Sequence, residues 1–522
     1  MHTFIHRATE GFRVSATIRQ KLTARKRRIE RRLNKNDLGD CNRPMLTASN
    51  IHYELADRCH GMAHGGIGLM VRLVRHLGLA ETIDKQLHVF KIHLPYFESD
   101  HVLNIAYNAL CGGTCLEDIE LLRNDEVFLD ALGARRIPDP TTAGDFCRRF
   151  DEEKIICLMD AIDEVRLGVW ARQPAEFRRL AIIDMDGHIV ETAGECKQGM
   201  DISYDGRWGY HPFLISLANT RELLCIVNRS GNRPSHDGAA PYVDRSIALC
   251  LRGGFARVLL RGDTDFSQTK HLDRWNANPH VRFIFGYDST PNMKKTAANL
   301  PESAWRRLRR PPRYEVRTTP RDRPEKVKEQ VVVDREFENR RLQSEDVAEF
   351  LYRPIACSQR YRMVVVRKNI SVEKGEKVLF PDIRYFFYIT NDWESTAAEI
   401  VFSANDRCHQ ENLIEQLRNG VRALRAPVDT LASNWAYMVM TALAWNLKAW
   451  WALLLPEQPG PQAAAQRQEK QTVISMEFKK FANAFLKLPC QIVRTGRRVV
   501  FRLLSWNPWQ PVFWRMVQVL RC

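Results

Sequence analysis

Two pairs of carboxylates follow apolar runs that have the length of buried strands. Asp184 and Asp186 end the run RLAIIDMDG, and Asp263 and Asp265 follow ARVLLRG. An acid in this position lies where a strand leaves its sheet, and two neighbouring strands of this kind bring their acids to one edge. Carboxylates so close repel one another unless a divalent cation neutralises them, and Mg²⁺ prefers such sparse oxygen ligation. The pattern therefore predicts metal-dependent phosphoryl transfer, in which a pair of ions activates a water or a 3′-hydroxyl.

A third acid lies further along the chain, in the segment ANDRCHQENLIEQLRNG. Arg407 and Glu411 are four residues apart, and Arg418 is seven residues beyond Glu411, so one continuous helix would carry all three on one face. Glu411 would then complete the metal site, and the two arginines would bind phosphates. Taken singly, each of these acids has an ordinary alternative, as a surface residue, a helix cap or a partner in an i,i+4 ion pair.

The elements around the acids indicate an α/β fold. The runs YHPFLISLA and ELLCIVNRSGN are strands that follow the first acid pair, and VRFIFGY is a strand that follows the second. Helices are expected at residues 240–251 and over QTKHLDRWNA. The resulting order, β-β-β-α-β-α-β, is that of an RNase H-like mixed sheet. Residues 61–175 read as helical, with a helix start at Asp139-Pro140.

The charge of the chain is concentrated at its two ends. The 522 residues carry a formal net charge of +16. Residues 1–36 contribute +9 and residues 477–522 contribute +8, so the body between them is almost neutral. This distribution fits a polyanionic partner, although a solvated tail is an equal alternative for the first segment. The basic candidates in that segment are Arg25, Lys26, Arg27, Arg28, Arg31 and Arg32.

Cysteine usage and hydropathy predict a protein of a reducing cytoplasm. The 13 cysteines are scattered, and the closest pair, Cys111 and Cys115, has no matching His or Cys pair that would complete a zinc site. The apolar stretch WAYMVMTALAWNLKAWWALLL contains Asn446 and Lys448, which favours a buried helix over a membrane span.

With these segments in place, the sequence resembles a DDE transposase of a bacterial insertion sequence. The helix around Glu411 is similar to the Y-x2-R-x3-E-x6-K signature of one large group: Arg407 and Glu411 match, Arg418 replaces the lysine, and Ala404 occupies the tyrosine position. Within that group the resemblance is to the insertion-sequence family numbered thirteen-eighty. It runs from about Gly65 to Arg502 and is carried by IIDMDG, GYHPFLISLA, NRSGN, LLRGDTDF, QENLIEQLRNG and LAWNLKAWW.

The resemblance implies a catalytic, metal-binding triad, which falls on Asp186, Asp263 and Glu411. Asp186 is preferred to Asp184 because Asp186-Gly187 stands where related enzymes have Asp-Gly-Thr, although position alone leaves that choice open. The resemblance also implies Mg²⁺ as cofactor, with Mn²⁺ expected to substitute, and a β-rich insertion between the second acid and the glutamate.

The resemblance further implies an RNase H-like core divided by that insertion. The expected units are a basic N-terminal arm (1–45), a helical DNA-binding domain (46–175), the first part of the catalytic core (176–290), the β-rich insertion (291–393), the second part with the Glu-bearing helix (394–455), and a linker with a basic C-terminal unit (456–522).

The expected activity is cut-and-paste DNA transposition. The chain would bind the terminal inverted repeats of its element as double-stranded DNA, cut them, and join the 3′ ends to target DNA as a homodimer in a synaptic complex. Arg407, Arg418 and the basic arm would contact DNA, and the expected location is the bacterial cytoplasm at the nucleoid, with no membrane. The rivals are an RNase H-like nuclease or resolvase that does not join strands, and an inactive DNA-binding regulator.

Four aromatic or imidazole side chains each have two candidate roles. Tyr210 and His211 are expected near the acids, where they would either contact the scissile strand or pack on the sheet. Trp275 and Trp305 are candidates for stacking on a flipped base, but packing is the favoured role of each.

Overall fold

The computed structural model describes residues 15–34, 51–53, 60–92, 95–310, 330–331, 333, 338–374, 376–377, 382–495 and 498–520. The α-helices are α1 (Ala16–Arg32), α2 (Ile67–Leu77), α3 (Leu79–Gln86), α4 (Glu98–Cys111), α5 (Ile119–Arg123), α6 (Glu126–Leu132), α7 (Pro140–Arg148), α8 (Glu152–Ala171), α9 (Ala240–Arg252), α10 (Thr269–Ala277), α11 (Pro291–Ala298), α12 (Ala397–Asp406), α13 (Cys408–Glu415), α14 (Leu431–Leu453), α15 (Ala463–Ser475), α16 (Phe478–Phe481) and α17 (Gln510–Val519). The strands are β1 (Gly61–Met62), β2 (Ala181–Gly187), β3 (Val190–Glu191), β4 (Asp201–Ile202), β5 (Trp208–Tyr210), β6 (Phe213–Leu217), β7 (Glu222–Val227), β8 (Val258–Gly262), β9 (Val281–Tyr287), β10 (Arg306–Arg307), β11 (Glu338–Tyr352), β12 (Tyr361–Lys374), β13 (Glu376–Lys377), β14 (Asp382–Thr390), β15 (Cys490–Thr495) and β16 (Arg498–Leu503).

One large mixed sheet organises the fold, with the strand order β10-β11-β12-β14-β9-β8-β2-β6-β7. β2 runs parallel to β8, and β8 runs parallel to β9, whereas β6 and β7 are antiparallel additions beside β2. The predicted α/β class with a mixed sheet is therefore confirmed. Every residue of β6 and of β7 is buried, as expected for strands covered on both faces.

Segment 291–393 joins the same sheet. β11 pairs with β12 over almost its whole length, β12 pairs with β14, and β14 pairs with β9. On one face of this extension, a small apolar cluster that includes Val364 and Val366 packs against Ile400 and Val401 of α12. This packing fixes the helix that leads into Arg407. Residues 311–329 of this segment lie outside the described residues.

Helix α14 lies at the centre of the molecule. All its residues from Ser433 to Leu453 are buried, and it packs against α4, α7, α8 and β7. Its polar side chains bond the outer edge of β7: Asn446 bonds both backbone groups of Leu223, and Trp435 Nε1 donates to the Ile226 carbonyl. This helix carries the apolar stretch discussed above, and no helix in the described ranges is long and apolar enough to cross a membrane.

The N-terminal helices share the core of the sheet. One continuous apolar cluster extends from Ile67 of α2 through the sheet and α14 to the C-terminal helix α17. Helix α7 begins at the predicted position, where the Asp139 carboxylate accepts a hydrogen bond from the Thr142 backbone at 2.9 Å. The helical region and the sheet are therefore joined by packing.

The two basic ends of the chain meet in space. Leu22 of α1 is buried, and Arg25 donates from Nη1 to the carbonyls of Leu503 and Ser505, at 3.0 and 3.1 Å. Those carbonyls belong to the C-terminal part of the chain, whose hairpin β15–β16 pairs with β1. The described parts of the two basic segments are therefore in contact through α1 and residues 503–505.

Candidate functional site

Asp186 and Asp263 lie at the same edge of the sheet. Asp186 is the penultimate residue of β2, and Asp263 immediately follows β8. The two strands are parallel neighbours in a register that places Asp184 beside Arg261, so two residues further on Asp186 and Asp263 stand level. Each carboxylate also accepts a local backbone hydrogen bond, Asp186 from Gly187 at 2.9 Å and Asp263 from Asp265 at 3.1 Å. The arrangement expected of two parallel strands that end in acids is therefore present.

Arg407 bridges the two aspartates and the helix that follows. It lies between α12 and α13, and its Nη1 donates to Asp186 Oδ2 at 3.1 Å. Burial lowers the pKa of the guanidinium, but the carboxylates of Asp186, Asp263 and Glu411 outweigh burial and raise it. Arg407 is therefore a fixed counter-cation for acids that come from three separate elements.

The electrostatics of the aspartates show that one arginine does not fully compensate them. Burial raises the pKa of Asp186 to about 6; Arg407 opposes the rise and Asp263 adds to it. Burial likewise raises the pKa of Asp263, against Arg407, and Asp265 adds to the rise. A site that disfavours its own negative charge in this way favours the binding of a further cation.

The hydrogen-bond partners of Asp184 and Asp186 bear on which of the two could bind a metal ion. Asp184 is 1% exposed and forms a bidentate ion pair with Arg261, at 2.7 Å from Nε and 2.8 Å from Nη2. Arg261 in turn donates to the Ser403 carbonyl at 2.8 Å. Both oxygens of Asp184 are thus engaged in the interior, whereas Asp186 lies in a partly open position.

Glu411 lies on α13 and is exposed. Its charge acts on Arg407, as the charges of Asp186 and Asp263 do, but Glu411 does not contact the two aspartates. Among the described residues, no three His, Cys, Asp or Glu side chains are grouped closely enough to hold one metal ion. The residues that the structure does bring together are Asp186 and Asp263. Their oxygen chemistry and incompletely compensated charge fit a hard divalent cation. Glu411 is a further carboxylate whose charge acts on Arg407.

The single helical face expected for Arg407, Glu411 and Arg418 is not what the structure shows. The helix is divided: α12 ends at Asp406, α13 begins at Cys408, and residues 416–420 form a wider π-helical turn. The three side chains therefore do not lie on one face of a single regular helix. Gln410 holds α13 to the sheet, since its buried amide oxygen accepts from Ser216 of β6.

The basic candidates of α1 divide into two groups. Arg25 is partly buried and uses its guanidinium to dock the helix. The others are exposed apart from local pairing such as that of Lys26 with Glu30 at 3.5 Å; they are Lys26, Arg27, Arg28, Arg31 and Arg32. Residues 1–14 and 35–50, which flank α1, lie outside the described residues.

The aromatic candidates are mostly packing residues. Tyr210 is fully buried, and its hydroxyl donates to the Gln198 carbonyl at 2.8 Å. His211 is buried, with its Nδ1 at 2.7 Å from the Arg233 carbonyl. Trp275 is buried and donates to Asp244 at 2.9 Å, and Trp305 is covered by the Arg367 guanidinium at 4.3 Å from its ring.

Sequence reasoning missed a cleft beside the acids. It has a volume of about 570 Å³, and its lining includes His188, Arg207, Trp208, Arg418 and Arg425. The signal for it was the polar, Gly-containing segment SYDGRWGY, which predicts a hairpin that carries an aromatic residue.

The chain was compared with known proteins. The family model described as transposase DDE domain, group 1, matches residues 60–522. No curated protein matches the chain. Among solved structures, the chain is similar to piggyBac transposase in a synaptic complex with hairpin DNA, at 10% identity and a TM-score of 0.33, over 81% of this chain and 83% of that one. A likeness at this TM-score supports no conclusion about the present chain.

Proposed function

The chain belongs to the DDE transposase domain family, group 1, and we propose that it cuts DNA at the terminal inverted repeats of a bacterial insertion sequence and joins the 3′ ends to target DNA. The insertion sequence would be of the family numbered thirteen-eighty, whose motifs the sequence resembles. The observation that carries the proposal is the pair Asp186 and Asp263, which stand level at the ends of two parallel strands with Arg407 between them and Glu411.

The five strands around the acids support an RNase H-like core. Their order is β7-β6-β2-β8-β9, in which β2, β8 and β9 are parallel and the other two antiparallel. In this proposal the strands of segment 291–393 are an insertion that lengthens the core sheet. The division into arm, helical domain, core, insertion and C-terminal unit belongs to the same proposal.

Asp186, Asp263 and Glu411 are the proposed ligands of Mg²⁺ and the proposed catalytic acids. A divalent ion bound there would lower the pKa of a bound water or 3′-hydroxyl and stabilise the leaving oxygen. Asp186 and Asp263 already share one edge, while Glu411 is linked to them through the charge of Arg407. Asp184 has a different role, since its pairing with Arg261 fixes β2 against β8.

The chain's own cations would bind and orient the DNA. Arg407 partly offsets the charge of the two aspartates before substrate arrives, and its guanidinium would pair with the charge of a scissile phosphate bound there. The exposed basic side chains of α1, a helix that docks on residues 503–505 of the C-terminal basic unit, would bind the DNA backbone. Joining two ends implies a homodimer in the synaptic complex, with the bacterial nucleoid as the place of action.

The test is a cleavage and strand-transfer assay on DNA that carries the element's ends. Wild type with Mg²⁺ is expected to cut and join, EDTA to abolish both, and Asp263→Asn to lose both while still binding DNA. Asp265→Asn is the matched control, because Asp265 is exposed, its hydrogen bond to Asp263 comes from the backbone and survives the change, and its carboxylate acts on Asp263 through charge alone. Cutting without joining would favour the nuclease, and binding without chemistry would favour the regulator.

A further inference from the structure

The hairpin of residues 201–210 presents an exposed apolar face. Ile202 of β4 and Trp208 of β5 are directly opposite in the pairing register, so their side chains share one face. They are 47% and 52% exposed, and Tyr204 at the turn is 88% exposed. Large side chains grouped in this way on the surface mark a place where something binds.

The hairpin is held firmly at both ends. At its base, Tyr210 is fully buried, and Gly231 packs so closely that a Cβ there would lie 2.3 Å from the Asp201 carbonyl oxygen. At its tip, the Ser203 backbone donates to the Arg207 carbonyl at 2.8 Å, and the Arg207 backbone donates back to Ser203 Oγ at 3.0 Å. Trp208 is therefore presented on a preorganised support, which reduces the entropy lost when a ligand binds.

The cleft beside Trp208 is positively charged. Arg207 is occupied by Asp205 and Glu191, but Arg418 and Arg425 are exposed and have no carboxylate partner in the described part of the chain. Two guanidiniums therefore remain for an anionic ligand.

One end of the cleft adjoins the proposed catalytic edge. His188 is two residues beyond Asp186, and Arg418 lies in the wide turn that follows the helix of Glu411. A strand of DNA whose phosphate lies at the aspartates would therefore continue towards Arg418 and Trp208.

We propose that this cleft binds unpaired DNA, with a base stacked on Trp208 and neighbouring phosphates on Arg418 and Arg425. The proposal rests on the proposed function and names the part of the substrate that the cleft holds. An aromatic platform with flanking cations is the arrangement that binds single strands without sequence preference. A second copy of the chain is the poorer occupant, since the same uncompensated arginines would face each other across an interface.

The experiment measures the binding of a fluorescent single-stranded oligonucleotide to the full chain in EDTA, with Asp263→Asn as the parent. Trp208→Ala is expected to weaken binding by about 10-fold to 100-fold, and Trp208→Phe to retain most of it. Trp393→Ala is the matched control, because Trp393 is 58% exposed but does not line the cleft. Arg418→Gln with Arg425→Gln is expected to reduce the slope of log K against log salt by about 1.4.

The outcomes separate the cleft from the reaction. Unchanged single-strand affinity in a folded Trp208→Ala chain overturns the proposal, and so does a loss of self-association in that variant with single-strand binding intact. If wild type neither cuts nor joins DNA but Trp208→Ala still loses single-strand binding, the proposed function fails and the cleft stands. Trp208→Phe guards against misfolding, since it keeps an aromatic ring at the position.

Discussion

Arg407 donates a hydrogen bond of 3.1 Å to Asp186, a residue 221 positions earlier in the chain. The contact joins the end of a central strand to the junction of α12 and α13, and Asp263 and Glu411 act on the same guanidinium. Three carboxylates from separate elements therefore share one cation. Asp184 pairs with Arg261 instead, and its substitution is expected to change stability in the opposite direction from that of Asp186.

Asp186→Asn is expected to stabilise the protein at pH 7.5 while it abolishes cleavage. The pKa of Asp186 is raised to about 6 in the folded state, above the unfolded value, so the free energy of unfolding falls as the pH rises from about 4 to 6 and stays lower above that window. An amide removes this penalty of about 1–3 kcal/mol. Thermal unfolding of wild type and Asp186→Asn at pH 7.5 and pH 4.5 measures this effect. The melting temperature of the variant is expected to exceed that of wild type at pH 7.5, and the difference is expected to be smaller at pH 4.5. A lower melting temperature for the variant at pH 7.5 would contradict the argument.

Asp184→Asn is expected to have the opposite effect on stability. Burial raises the pKa of Asp184 as it does that of Asp186, against Arg261. The bidentate pairing outweighs this effect, because the change leaves Arg261, which is 4% exposed, without its anionic partner. Removing one member of a buried ion pair costs about 3–5 kcal/mol. Urea unfolding of Asp184→Asn beside Asp186→Asn measures the contrast. The double variant Asp184→Asn with Arg261→Met is expected to recover part of the loss, and equal stabilities of the two single variants would argue against a structural role for Asp184.

Mg²⁺ is expected to raise the melting temperature of wild type without DNA present. A cation that binds the folded state alone stabilises it by about 2.7 kcal/mol at a concentration 100 times its Kd. Thermal shift against MgCl₂, with KCl at matched ionic strength, measures this, and Asp265→Asn is expected to respond as wild type does. A shift of the same size in Asp263→Asn would place the bound cation elsewhere.

The exposed face of α1 is expected to govern the salt dependence of DNA binding. Replacing Lys26, Arg27 and Arg28 with glutamine removes up to three phosphate contacts and should reduce the slope of log K against log salt by about 2.7. The melting temperature should not change, because these side chains are exposed. Arg25→Gln is the comparison: it should loosen α1, seen as faster proteolysis, because its donors to Leu503 and Ser505 are lost.

The strands of the site were predictable because their signals are local. The apolar runs before Asp186 and Asp263 are the buried strands β2 and β8, and their parallel pairing brings both acids to one edge. The division of the helix at Arg407 was not predictable from spacing, since the periodicity of residues 404–420 is compatible with one regular helix. The structural role of Asp184 was also not predictable from the sequence. Asp184 and Asp186 lie on the same face of the strand, and only the contact of Asp184 with Arg261 distinguishes them.

The other features that could not be predicted depend on contacts between residues far apart in the sequence. The docking of Arg25 on Leu503 joins residues 478 positions apart, and composition shows only that both ends are basic. The cleft at Trp208 combines a hairpin from one part of the chain with arginines that follow Glu411. Such sites depend on the packing of whole elements, which no single segment encodes.

The polar side chains of α14 also protect the sheet from self-assembly. β7 is a fully buried apolar strand at the end of the strand order, and an open edge of that kind would template pairing with other chains. Asn446 and Trp435 occupy backbone groups on that edge, at Leu223 and Ile226. A chain that stops before Leu431 would lose these bonds along the edge of β7, so aggregation through edge pairing is expected of such fragments.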